Sequence, residues 1–155
     1  MSTTEKLNGY GPLAGVKVVE LCEWVAAPAC VRCLSEMGAT VIKVEPPYGD
    51  AQRTQGPGFG CEQTDMEDPT IDLNNTNKNF VSINLKNEEG MKFMKKLLAD
   101  ADIFVNNLRD KALNKMGLDY ETLHKEFPTL IWAQMRGYGE YGPEKDSPGF
   151  DAVCW

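Results

Sequence analysis

Short β-branched runs alternate along this chain with stretches in which apolar side chains recur every three or four positions, the patterns of strands and helices. Val16-Lys17-Val18-Val19-Glu20-Leu21 follows the turn residues Gly11, Pro12 and Gly15 and predicts a buried first strand. A helix is expected next: Pro28 suits a first-turn position, Cys30, Cys33, Leu34 and Met37 share one face, and Gly38 is placed to end the helix in a left-handed conformation. Thr40 to Val44 predicts a second strand, stopped by Pro46-Pro47. Strand, helix and strand with such short connections require a crossover, which builds a parallel sheet covered by helices.

Periodicity disappears from Tyr48 to Asn79, where Gly49, Gly56, Gly58, Gly60, Pro57 and Pro69 break the chain into a long excursion outside the sheet. Phe80 to Leu85 then alternates, with Val81, Ile83 and Leu85 on one face of a third strand. Glu88 to Asp100 reads as a helix, with Met91, Met94 and Leu98 in register, acids in the first turn and Lys95 and Lys96 late. Ile103 to Val105 predicts a fourth strand, Tyr120 to Phe127 a short helix, and Leu130 to Met135 a fifth strand. The fold class is therefore α/β, a Rossmann-like open, mostly parallel sheet with helices on both faces. Gly137 to Gly149 reads as the approach to another element rather than a natural end.

The 155 residues, 42% hydrophobic and 25% charged, suit one globular domain. A net charge of -7 opposes a broad nucleic-acid surface on electrostatic grounds, so no nucleic-acid partner is expected. The polar start with Glu5 does not resemble a secretory signal, no apolar run is long enough to span a membrane, and the five scattered cysteines suit reduced thiols. The expected location is cytoplasmic, with no membrane partner. Cys30-Val31-Arg32-Cys33 lacks further ligands at metal-site spacing and reads as two small apolar side chains on a helix face. No metal is expected.

Ligands of open parallel sheets sit beyond the carboxyl ends of the strands. The first such turn, Cys22 to Pro28, has no glycine, whereas an NAD or FAD site needs glycines for the backbone to approach a pyrophosphate. Gly56-Pro57-Gly58-Phe59-Gly60 lacks the Lys-Ser/Thr of a P-loop and reads as a lid or turn. The segment Lys78 to Lys115 carries eight bases against five acids, and Lys86, Arg109 and Lys115 near strand ends are expected to gather at one sheet edge as a phosphate site. No nucleophile and base pair is visible, because the one histidine, His124, has no partnered serine or cysteine motif.

Several segments resemble the class III (CaiB/BaiF, formyl-CoA transferase-like) CoA-transferase family. They are Leu13 to Leu21, Ala26-Ala27-Pro28, Gly38 to Asp50, Asn77-Lys78, Ala101-Asp102 through Asn107-Leu108-Arg109, Met116 to Leu123, and Gly137-Tyr138-Gly139 with Gly142-Pro143. They cover nearly the whole chain in the family's order. Trp24 to Pro28, Gly137 to Glu140 and Pro148 to Asp151 are most similar to the clostridial branch of 2-hydroxyacyl-CoA and cinnamoyl-CoA:phenyllactate CoA-transferases.

The resemblance implies coenzyme A, carried as acyl-CoA, with a carboxylic acid as second substrate and a homodimer as the working form. It implies CoA contacts at Val25 and Ala26, at Ile83, Asn84, Leu85 and Lys86, and at Asn107, Leu108, Arg109, Lys115 and Met116, with Phe150 and Asp151 lining the thioester end. The family often has Gln at the place of Val25 and Arg at the places of Pro46 and Lys115. Its nucleophilic aspartate, which forms anhydride and thioester intermediates in turn, is expected beyond Trp155. No catalytic residue is therefore assigned within the chain. Residues 1–155 are expected to be the amino-terminal part of the CoA-binding domain, without the small domain and the returning carboxyl-terminal segment, inactive alone and with Val153 and Trp155 on uncovered apolar surface. Two other readings remain: an α-methylacyl-CoA racemase-like enzyme, whose Gly-His-Asp motif would align with Gly149-Phe150-Asp151, and a non-catalytic CoA-binding remnant.

Overall fold

A computed structural model describes residues 10–62, 64 and 67–149. Phe150, Asp151, Val153 and Trp155 lie outside the described residues. Five strands, β1 (Lys17–Leu21), β2 (Thr40–Glu45), β3 (Lys78–Ser82), β4 (Ile103–Asn106) and β5 (Ile131–Gln134), form one sheet in the order β3-β2-β1-β4-β5. Every neighbouring pair is parallel. The helices are α1 (Ala26–Glu36), α2 (Pro69–Asn75), α3 (Glu88–Ala99), α4 (Asp110–Met116) and α5 (Tyr120–Glu126).

Alternation along the strands divides the core into two layers. Val19, Leu21, Val44 and Phe104 pack with Met94 and Leu98 of α3, Leu113 of α4 and Leu123 of α5. On the other face, Val18, Val41 and Val105 pack under Ala27 and Val31 of α1. Helices therefore cover both faces. The third strand pairs two residues earlier than its alternation indicated, yet Val81, Ile83 and Leu85 all join the first layer as expected. Helix α3 forms where its signals placed it: Asn87 caps the Gly90 N–H, Glu88 and Glu89 occupy the first turn, and Met94 and Leu98 fill the core.

Three expectations are corrected. Helix α1 buries Ala27, Pro28, Val31 and Ser35, whereas Cys30, Cys33 and Met37 are exposed and Leu34 is half-buried. The buried positions of this helix are themselves small, so apolar bulk does not mark its inward face. The excursion after β2 is partly built structure: two 3₁₀ turns, Ala51–Thr54 and Gly56–Phe59, lead into α2. Helix α4, unforeseen, buries only Leu113, too few inward positions for a periodic signal. Gly38 does end α1 at a φ of 102°, as its position predicted.

Candidate functional site

The 3-2-1-4-5 order puts the reversal of strand order between β1 and β4, where an open parallel sheet leaves a crevice beyond its carboxyl edge. A cleft of about 570 Å³ opens there. Its walls come from the β1–α1 turn (Glu23, Trp24, Ala26), the β4–α4 turn (Asn107 to Asp110) and the chain after β5 (Gln134 to Gly137 and Lys145 to Gly149).

Each wall is tied to another. The Asn107 carboxamide accepts the Glu23 N–H at 3.0 Å and donates to the Glu23 carbonyl at 2.7 Å, joining the β1 and β4 ends. Gln134 donates to the Leu108 carbonyl at 2.7 Å and to Asp110 at 3.1 Å, and accepts from Arg136 at 2.7 Å. Arg136 also pairs with Asp110. Gly137 and Gly149 meet backbone to backbone, since a Cβ built on either would lie 2.3 Å from the other's Cα. Only glycine permits that approach, which returns the chain to the cleft.

The two helices that open on this cleft are the two without side-chain caps. Val25 and Arg109 stand at the N-caps of α1 and α4 with no capping bond; the first turn of α1 holds no acid, whereas that of α4 holds Asp110, which pairs with Arg136. By contrast Asp68, Asn87 and Asp119 cap α2, α3 and α5. Uncapped N–H groups at the positive end of a helix attract an anion. Arg109, exposed, adds a full positive charge at the same mouth.

Beneath the β1–α1 turn lies a buried network of four charges. Lys43 Nζ pairs with Glu20 at 3.2 Å and Asp50 at 2.9 Å, and Lys78 Nζ pairs with Glu20 at 2.7 Å, all with fully buried side chains. Glu20 and Lys43 are direct partners in the β1–β2 register. Burial works against the Lys43 charge, but Glu20 and Asp50 outweigh it and raise its pKa. For Glu20 and Lys78 burial prevails, raising the acid and lowering the base despite their partners. Burial, with the Glu20 charge adding to it, also pushes the Cys22 thiol well above its ordinary range, which leaves it protonated and inert as a nucleophile. Glu23, at the cleft itself, is raised by burial and then by the Asp50 charge.

The sequence profile of CoA-transferase family III matches residues 13–155. The chain belongs to CoA-transferase family III. It is 51% identical over 143 residues to (R)-2-hydroxy-4-methylpentanoate CoA-transferase of Clostridioides difficile, covering 92% of this chain and 36% of that protein. It is 49% identical over 148 residues to cinnamoyl-CoA:phenyllactate CoA-transferase of Clostridium sporogenes, covering 96% of this chain and 36% of that protein. Among solved structures it is similar to a CaiB/BaiF family protein from Brucella suis, with a TM-score of 0.85 and 37% identity over 92% of this chain and 38% of that one. The chain thus spans little more than a third of the length of these family III proteins.

Of the residues that the family III resemblance implied, Ala26, Asn107, Leu108 and Arg109 line the cleft together. Val25 is exposed beside Ala26 at the start of α1. Asn84, Leu85 and Lys86 follow β3 on the same sheet edge, separated from β4 by β2 and β1, or about 14 Å at the usual strand spacing. Ile83 is 5% exposed, with its N–H given to the Glu45 carbonyl, so its side chain belongs to the core. Lys115 is exposed in the last turn of α4, and Met116 packs against the core. Lys86 and Arg109 thus follow β3 and β4 at the carboxyl edge of the sheet, whereas Lys115 stands at the far end of α4 from Arg109. Phe150 and Asp151 lie outside the described residues.

Glu23, Asp110, Gln134 and Arg136 were missed. The rule that ligands sit at strand ends, applied to β5 as well as to β1, β3 and β4, would have found Gln134 and Arg136. The signal for the network was also present: one charge in the middle of each of two β-branched strands, Glu20 and Lys43. Among the described residues no helix is long and apolar enough to cross a membrane, and no group of three or more His, Cys, Asp or Glu is placed to hold a metal ion.

Proposed function

We propose that the cleft between β1 and β4 receives the CoA portion of an acyl-CoA. The complete protein then moves CoA between an acyl- or enoyl-CoA and a 2-hydroxy or other carboxylic acid. The observation that carries this reading is the convergence of the uncapped, acid-free N-terminus of α1 and the exposed Arg109 on one cleft at the reversal of strand order. Phosphate groups are the anions that such a mouth holds best. The names of the clostridial relatives support the transfer reaction and the 2-hydroxy acid class.

In this reading Arg109 and the first turn of α1 take the phosphates, and Ala26 leaves the backbone open to them. A ligand as extended as CoA, lying along the carboxyl edge, also reaches Asn84 and Lys86. Residues 1–155 form the amino-terminal part of the CoA-binding domain. The nucleophilic aspartate, the small domain and the returning segment follow Trp155, and the complete protein is a cytoplasmic homodimer.

Two measurements test the proposal. The reading frame followed past the codon for Trp155 and expressed whole is expected to exchange CoA between a 2-hydroxyacyl-CoA and a free acid; racemisation of a 2-methylacyl-CoA without exchange would favour the racemase instead. In calorimetry, Arg109→Ala is expected to weaken CoA binding by about 1 to 3 kcal/mol, the range for a charge-assisted contact. Unchanged affinity would reject the cleft as the CoA site.

A further inference from the structure

Trp24 adopts a φ of 68°, a left-handed conformation that bulky residues avoid, in a turn that contains no glycine. Its N–H donates to Asp50 Oδ1 at 3.1 Å, and the same oxygen accepts the Gln52 N–H at 2.9 Å. The other Asp50 oxygen pairs with Lys43 at 2.9 Å. Lys43 in turn donates to the Cys22 carbonyl at 2.7 Å, and Lys78 donates to the Pro28 carbonyl at 2.8 Å. Three of the four buried charges thus grip the backbone of one segment, residues 22–28. Glu20, paired with both lysines, balances their charge.

Buried ion pairs are poor stabilisers, because apolar side chains of similar volume fill the same space at lower desolvation cost. Apolar side chains cannot bond the carbonyls and N–H groups of a turn. We propose that Asp50 is a positioning residue, which acts through Trp24 to hold the β1–α1 turn in the left-handed shape that lets Glu23, Trp24 and Ala26 line the cleft. Asp50 comes from the chain after β2 and does not itself line the cleft. This inference goes beyond the CoA reading and rests on it only where CoA affinity is measured.

The test combines hydrogen exchange by mass spectrometry with CoA calorimetry on the protein expressed whole. Asp50→Ala is expected to speed exchange in peptides covering residues 22–28 by about 10- to 100-fold and to weaken CoA binding by a similar factor, the scale of one charge-assisted hydrogen bond. Glycine adopts positive φ without strain, so in a Trp24→Gly background the same alanine substitution is expected to change exchange by less than about threefold. Unchanged exchange at 22–28 in a folded Asp50→Ala variant, or an equal effect in both backgrounds, would overturn the proposal. If the alanine variant does not fold, Asp50→Asn carries the test: faster exchange confined to 22–28 supports the role, and unchanged exchange there defeats it. A complete wild-type protein that fails to bind CoA would defeat the proposed function, while the exchange measurements would still decide the role of Asp50.

Discussion

Asn107 and Glu23, 84 positions apart, are joined by two hydrogen bonds through a single carboxamide, one accepted at 3.0 Å and one donated at 2.7 Å. The pair extends the β1–β4 ladder beyond its last backbone partners, Leu21 and Asn106, and sets the spacing of two cleft walls. Asn107→Ala should cost about 1 to 3 kcal/mol in urea denaturation, because partly buried backbone groups of Glu23 lose their partner. Asn107→Asp should cost at least as much, since a carboxylate can still accept the N–H but repels the carbonyl. Stability equal to wild type in both variants would show that the clamp is not made in solution.

Gly137 and Gly149 set the return of the chain to the cleft by a contact that leaves no room for a Cβ. Gly137→Ala should force the two backbones apart, destabilising the protein by about 1 to 3 kcal/mol as overpacking does. It should also increase hydrogen exchange in residues 138–148. An unaltered melting curve and exchange pattern would refute the contact.

Asp119 caps α5, with its carboxylate accepting the Thr122 N–H at 3.0 Å and hydroxyl at 2.8 Å. Its slight burial opposes ionisation, but the Thr122 bonds outweigh it and lower the pKa. A carboxyl lowered in the folded state contributes stability above its unfolded pKa and loses it as pH falls through the folded value. Asp119→Ala should therefore cost about 0.5 to 2 kcal/mol at neutral pH, and the difference from wild type should shrink below about pH 4. A difference that stayed constant down to pH 2 would contradict the cap.

Phe104 is fully buried in β4, beneath the helices of the first core layer. Phe104→Ala should destabilise the chain by about 3 to 5 kcal/mol, the transfer loss plus the cavity left behind. A loss below about 1 kcal/mol in urea denaturation would mean that this layer does not carry the fold.

The elements that the sequence by itself determined are those whose signal is local. Strands β1, β2 and β4 lie where β-branched runs stand, β5 lies in the apolar run Leu130 to Met135, and α3 lies between its cap and its charged ends, because a period and a cap are properties of a few adjacent residues. The family resemblance was legible too, since it rests on contiguous runs such as Gly38 to Asp50. Helix α4 was not legible because one buried leucine makes no period, and the inward face of α1 was misread because its buried residues, Ala27, Pro28, Val31 and Ser35, are no bulkier than those on its outer face. What only the tertiary structure decided is the pairing of distant groups. Glu20 meets Lys43 through strand register, Lys78 arrives from β3 and Asp50 from the chain after β2, and together they hold a turn whose own residues give no sign of needing support. Apart from the local Lys43–Asp50 pair, these partners lie more than twenty positions apart, so their meeting is encoded in how the strands align and not in any stretch that can be read alone.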